Sequence, residues 1–167
     1  AAIFDIDKLQ WMNGVHIRQT PAEALSGLLM PVLDRGLPAE APRPLDRSYV
    51  RRLTPLIQER MKLVGEAPDM LDFFFVDAVS PKYDDLVSRK SKMDAASTIT
   101  ALESAQTLVE SASPFEPEPL EAGFRALAER LSLKPGQLFG AVRVAVTGKR
   151  VAPPLFDTLA AIGRERC

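Results

Sequence analysis

The sequence predicts an all-α protein built as two small helical domains in tandem. Three observations carry that expectation. Ala, Leu and Glu dominate the 167 residues and aromatics make up only 7%, a composition that favours helix. Apolar residues recur at helical spacing, most clearly Leu120, Phe124, Leu127 and Leu131 at i, i+4, i+7 and i+11. Pro, Gly, Asp and Thr also punctuate the chain where helices of ordinary length would start and stop.

Taken in order, Asp5 is placed to cap a first short helix, with Phe4 and Leu9 as a hydrophobic staple and Asn13-Gly14 as its end. Thr20-Pro21-Ala22-Glu23 reads as a capping box with Pro at the first helical position. The helix it opens carries Leu25, Leu28, Leu29 and Val32 on one face and stops near Gly36. Pro38, Pro42 and Pro44 then make a connector. The next helix is expected from about Leu45 to Leu63, burying Leu53, Leu56 and Ile57, with Gly65 and Pro68 ending it. Leu71 and Phe73 to Val76 form an apolar stretch too short to separate strand from helix by period; its helical neighbours decide for helix.

A long helix is expected from about Lys92 to Ser111. Ser113 to Pro119 follows, with three prolines in six residues, and is expected to be the domain boundary. Beyond it come the striped helix, a helix opened by Pro135 and closed by Thr147-Gly148, and a last one opened by Pro153-Pro154. The glycines stand singly, and helix caps account for them.

Composition narrows the function. A hydrophobic content of 46% supplies an ordinary core, but no apolar run reaches the roughly 20 residues of a membrane span, and nothing resembles a signal peptide. The single cysteine, Cys167, closes no internal disulfide. A cytoplasmic, monomeric protein with no membrane partner is the expectation. The opening Ala1-Ala2-Ile3, lacking an initiator Met, fits a piece of a longer chain. A net charge of −1 excludes a broad basic field, so any RNA contact must be local and shaped, and no DNA partner is expected.

Catalytic constellations are missing. One histidine and one cysteine make neither a nucleophile pair nor a metal cluster, and no Gly-rich phosphate loop is present. His16 reads as structural. Asp5, Asp7, Asp84 and Asp85 stand at helix starts, where capping or the helix dipole explains them. Ser88 to Met93 reads as a basic, solvated helix start. Arg47, Arg51 and Arg52 fall on one helix; Arg60, eight residues past Arg52, would lie about 80° around the same cylinder. These arginines fit either a solvated face or a phosphate-contacting one.

Arg143, between Val142 and Val144, must snorkel, pair with a carboxylate or point at a ligand. Lys149 and Arg150 follow in an exposed turn suited to phosphate, and Ala152-Pro153-Pro154-Leu155 offers a rigid apolar edge beside them. Donors next to an apolar shelf are what a splayed single-stranded base requires.

Two blocks point to a family. Phe4-Asp5-Ile6-Asp7-Lys8-Leu9-Gln10-Trp11-Met12-Asn13-Gly14 runs on to Ile17-Arg18 near the start. Gly136-Gln137-Leu138-Phe139, Val142-Arg143-Val144-Ala145-Val146-Thr147-Gly148 and Pro153-Pro154-Leu155-Phe156 stand near the end. In that order they resemble the C-terminal portion of a bacterial glutamyl-tRNA synthetase, a class I aminoacyl-tRNA synthetase. The resemblance implies that residues 1–18 end a stem-contact region, while 19–112 and 113–167 form two helical anticodon-binding domains. It implies that Arg60 reads the third anticodon base, favouring C over G, that Arg143 engages the first anticodon bases, and that Ala152, Pro153 and Leu155 form the edge they pack against. The family often has Thr where Ala152 stands.

The resemblance further implies a parent that uses ATP and Mg²⁺ to attach glutamate to tRNA(Glu), with the catalytic signatures outside this chain. From another class, a helical protein-interaction module that kept the fold without binding RNA suits the near-neutral charge equally well.

Overall fold

The computed structural model describes residues 5–87 and 93–167, and all regular structure among them is helical. The helices are α1 (Ile6–Gln19), α2 (Ala22–Gly36), α3 (Arg47–Gln58), α4 (Ala67–Leu71), α5 (Tyr83–Leu86), α6 (Ala95–Ser111), α7 (Pro117–Arg130), α8 (Pro135–Thr147) and α9 (Leu155–Ile162). Single 3₁₀ turns stand at Val64–Glu66, Asp72–Phe74 and Arg164–Arg166. Contacts divide the chain into two compact units, the first ending at Val76 and the second spanning Asp77–Cys167. The boundary expected around Ser113 to Pro119 therefore falls inside the second unit, where α6 packs against α7 and α8. Pro117 and Pro119 occupy the first turn of α7, where a missing N–H has no intrahelical partner to lose.

In the first unit Asp5 caps α1 as expected, its carboxylate accepting the Lys8 amide at 3.0 Å. The helix does not end at Asn13-Gly14 but runs on to Gln19. Packing overrides the stop signal. A Cβ at Gly14 would lie 3.5 Å from the Met61 carbonyl oxygen, and the Asn13 side-chain amide donates to the Lys62 carbonyl. The capping box at Thr20 is not formed either. The Thr20 hydroxyl donates to the His16 carbonyl at 2.8 Å and its amide to Ile17 at 3.1 Å, so Thr20 closes α1, and Pro21 stands at the N-cap of α2. The staple residue Phe4 lies outside the described residues.

Helix α2 packs on α3 and α4, burying Leu25, Leu29 and Leu33 against Val50, Leu53, Ile57 and Leu71; Leu28, expected on that face, is exposed. Each fully buried Leu contributes about 1.5–3 kcal/mol, so this shared core outweighs the isolated propensities of helices this short. Asp46 caps α3, which ends at Gln58 rather than Leu63. The amides of Arg60 and Met61 both close on the Ile57 carbonyl in the last turn of α3 at 3.0 Å, and those of Lys62 and Leu63 donate instead to the Glu66 carboxylate at 2.8 and 3.2 Å. Leu71, Phe73, Phe74 and Phe75 are buried, with Leu71 ending α4 and Phe73 and Phe74 in the 3₁₀ turn, but Phe75 and the half-buried Val76 stand in the bend beyond it, so the helix expected over this stretch stops at Phe74.

In the second unit Asp94 caps α6 through the Ser97 amide at 2.8 Å. The expected start at Lys92, like the basic residues from Ser88, lies outside the described residues. The core joins Ala101, Ala105 and Val109 of α6 to Leu120, Phe124 and Leu127 of α7, Leu138 and Val142 of α8, and Leu155, Phe156 and Leu159 of α9. The Phe156 ring stands 5.7 Å from that of Phe124 and 5.0 Å from that of Phe139. Not every glycine is a cap: Gly14, Gly27, Gly123 and Gly140 lie within helices.

Candidate nucleic-acid interface

The end of α8 and the turn into α9 build the strongest local arrangement in the second unit. Gly148 closes α8 at φ +70°, a left-handed conformation that brings its amide to the Val144 carbonyl at 2.8 Å. Thr147, buried, holds both sides of this turn. Its hydroxyl donates to the Arg143 carbonyl at 2.7 Å and accepts the Lys149 amide at 3.1 Å. Arg143 is half-buried one turn before the cap, its Nε shielded from solvent. Arg150 is exposed and reaches to 3.9 Å from the Asp85 carboxylate of α5.

The apolar edge differs from expectation. Pro153 and Leu155 are buried, Leu155 as part of the core, while Val151 and Pro154 face solvent and Ala152 is half-buried. Any base at this edge would meet Val151, Pro154 and the backbone they stiffen, with Pro153 and Leu155 bracing them from behind.

The first unit carries the other arginines. Arg47 and Arg51, four residues apart, share one exposed face of α3, and Arg51 pairs with Glu23 of α2 at 2.8 Å. Arg52 lies on the flank, its guanidinium 5.3 Å above the Tyr49 ring. Asp46, hydrogen-bonded by the Ser48 hydroxyl and the Tyr49 and Ser48 amides, stays below the usual carboxylate range and is ionised at the head of this helix. Arg60 is exposed but lies in the turn after α3, so the expected 80° offset on a common cylinder does not apply.

A family model described as an anticodon binding domain matches residues 24–167. The chain belongs to that family. The glutamate–tRNA ligase of Roseiflexus sp. (strain RS-1) is 51% identical over 161 residues, covering 96% of this chain and 31% of that protein. The glutamate–tRNA ligase of Chloroflexus aurantiacus is 45% identical over 164 residues, covering 96% of the chain and 32% of the protein. The chain thus spans about a third of the length of the curated relatives it matches. Its fold matches crystal structures of glutamate–tRNA ligases from Elizabethkingia meningosepticum (TM-score 0.77) and Elizabethkingia anophelis (TM-score 0.74). Both are 20% identical and cover 99% of this chain, which covers 31% and 30% of theirs.

Within this anticodon-binding chain, the structure gathers Arg143, Lys149, Arg150, Ala152, Pro153 and Leu155 at one corner of the second unit. Arg47, Arg51, Arg52 and Arg60 belong to the first. Sequence reasoning missed Gln58. Its side-chain amide donates to the Ile17 carbonyl at 2.9 Å and to Thr20 at 2.8 Å, clamping the end of α1 to the end of α3 two residues before Arg60. A side-chain amide that binds the backbone of another helix gives no periodic signal in the sequence. A cleft of about 610 Å³ between the starts of α7 and α9 sets Glu116, Glu118, Glu121 and Asp157 around Pro154 and Leu155 of the apolar edge. That sign repels phosphate, which sets a limit to the candidate surface. Among the described residues no cluster of His, Cys, Asp or Glu is suited to hold a metal ion, and no helix is long and apolar enough to cross a membrane.

Proposed function

We propose that this chain reads the anticodon of tRNA(Glu) as the C-terminal part of a glutamate–tRNA ligase. The observation that carries the proposal is the anticodon-binding family match over residues 24–167, together with the half-buried Arg143 and the Lys149-Arg150 turn inside the matched region. Arg143 offers a planar fork of donors to the edges of the first anticodon bases, and Lys149 and Arg150 neutralise adjacent phosphates. Ala152, Pro153 and Leu155, with the exposed Val151 and Pro154, give those bases a stiff wall. Arg60 reads the third base: its donors match the O2 and N3 acceptors of cytosine and oppose the N1–H and N2–H donors of guanine. Arg47, Arg51 and Arg52 serve as backbone contacts.

In the whole enzyme, glutamate is activated with ATP and Mg²⁺ and transferred to the tRNA, all at a catalytic domain outside this chain. Anticodon contacts act by supplying binding energy that the matching tRNA alone obtains, which positions the distant acceptor end. Helix α1 joins the two parts. Ile6, Leu9, Trp11 and Met12 are all exposed on it, supporting a surface that the preceding stem-contact region covers. The enzyme works in the cytoplasm as a monomer.

Titration of the chain with a glutamate-tRNA anticodon hairpin at 50 and 200 mM salt tests the reading. Steep weakening at the higher salt and a loss of affinity in Arg143→Ala are expected. Salt-insensitive binding, unchanged by Arg143→Ala, would overturn it.

A further inference from the structure

Helix α3 ends at Gln58, so Arg60 is carried by a turn and not by a helix. Packing fixes the inner side of that turn. Ile57 and Met61 are fully buried, and the Arg60 and Met61 amides both close on the Ile57 carbonyl at 3.0 Å. Arg60, between them, is exposed.

Helix α1 grips the same turn on both sides of Arg60. Two residues before it, the Gln58 side-chain amide donates to the Ile17 carbonyl at 2.9 Å and to the Thr20 carbonyl at 2.8 Å. Two residues after it, the Lys62 carbonyl accepts the Asn13 side-chain amide, and the Lys62 amide donates to the Glu66 carboxylate at 2.8 Å. Between these clamps the two backbones meet directly: a Cβ at Gly14 would stand 3.5 Å from the Met61 carbonyl oxygen and 3.7 Å from the Lys62 Cα. The clamps run in opposite directions, Gln58 onto α1 and Asn13 from it, so the turn cannot shift along α1 without breaking one of them.

We propose that Asn13 and Gln58 are positioning residues for third-base recognition: they lock the turn that carries Arg60 onto α1, and the choice of C over G depends on both. The inference rests on the reading of the third base by Arg60 and adds two residues that touch no RNA. Telling cytosine's acceptors from guanine's donors requires the guanidinium to be held to about 0.5 Å and 10–20°, which a turn achieves less well than a helix. Here α1 supplies the rigidity that α3 stops short of giving. With either clamp gone, the turn follows whichever base it meets, so the C hairpin loses its matched geometry and the G hairpin meets less opposition.

The test is titration of the parent chain and its Asn13→Leu, Gln58→Leu and Arg60→Gln variants with two glutamate-tRNA anticodon hairpins, one with C and one with G at the third position. The readout is the ratio of the two affinities. Loss of folded chain weakens both hairpins by one factor and leaves the ratio untouched, so the ratio separates positioning from stability. The parent should prefer C by about 5- to 150-fold, the range for one matched base edge. Asn13→Leu and Gln58→Leu should each cut that ratio at least about twofold, the lower end of coupling within one hydrogen-bond network. If Arg60→Gln erases the preference while either Leu variant keeps the parent's ratio, the positioning role is refuted and third-base reading stands. If the parent binds the two hairpins alike, or Arg60→Gln keeps the preference, both fall together.

Discussion

Replacing Gly148 with Ala isolates the backbone conformation on which the proposed RNA turn depends. Gly148 sits at φ +70°, where an L-residue meets its own carbonyl, at a cost of roughly 1–2 kcal/mol. No other strain is added, because the new methyl would meet only the Val79 Cβ at 3.7 Å, an ordinary contact. For a unit of this size each kcal/mol lowers the melting temperature by about 4–8 °C, so Gly148→Ala should melt about 4–16 °C below the parent. Gly148→Asn should lose less, since Asn tolerates the left-handed region better than Ala. Thermal unfolding followed by far-UV circular dichroism reads both. An Ala variant as stable as the parent, or an Asn variant less stable than Ala, would refute the account of the turn.

Other outcomes follow from individual contacts. Gln58→Leu removes the donors on Ile17 and Thr20 and should destabilise the first unit by about 1–3 kcal/mol in urea unfolding, while leaving the melting of the second unit unchanged. Gly36→Ala would put a methyl 2.5 Å from the Pro68 ring, which cannot swing away, and should cost about 1–3 kcal/mol in the same assay. Asp46 lies below its ordinary value of 3.8, held there by the Ser48 hydroxyl and backbone amides, so its contribution is present above that pH and lost as pH falls through the lowered folded value. The melting difference between parent and Asp46→Ala should therefore stay constant from pH 5 to 8, taken here as roughly the carboxylate plateau, and close on acidification. Arg143→Lys keeps the charge but loses the fork, and should weaken hairpin binding by about 1–3 kcal/mol with little change in melting.

What the sequence made legible were signals written in a single helix. The Leu120, Phe124 and Leu127 stripe is buried as its period demands, and Asp5 caps α1 through the Lys8 amide. Signals that depend on a partner were not legible. Gly14 looks like a helix stop until the Met61-Lys62 backbone lies against it. Pro117 and Pro119 look like a linker because composition does not separate a linker from a first helical turn. The division after Val76 carries only one proline, Pro81, against three in the stretch from Ser113; it follows the buried run from Phe73 to Phe75. Arg60 was assigned a position on a helix that ends at Gln58, beyond which the Glu66 carboxylate takes the Lys62 and Leu63 amides.

The site shows the same pattern. Arg143, Lys149 and Arg150 stand out from their neighbours in sequence, and the family resemblance adds a role for Arg143. The burial of Pro153 and Leu155 and the approach of α5 to Arg150 depend on packing of α8 and α9, which no local pattern encodes.

The central claim is anticodon reading, and its most direct measurement is a specificity swap. Binding of the parent and of Arg60→Gln is compared on two otherwise identical glutamate-tRNA hairpins, one with C and one with G at the third anticodon position. The account predicts that the parent prefers C by about 1–3 kcal/mol, the worth of one matched base edge, and that Arg60→Gln binds the two alike. Equal binding of both hairpins by the parent would contradict it.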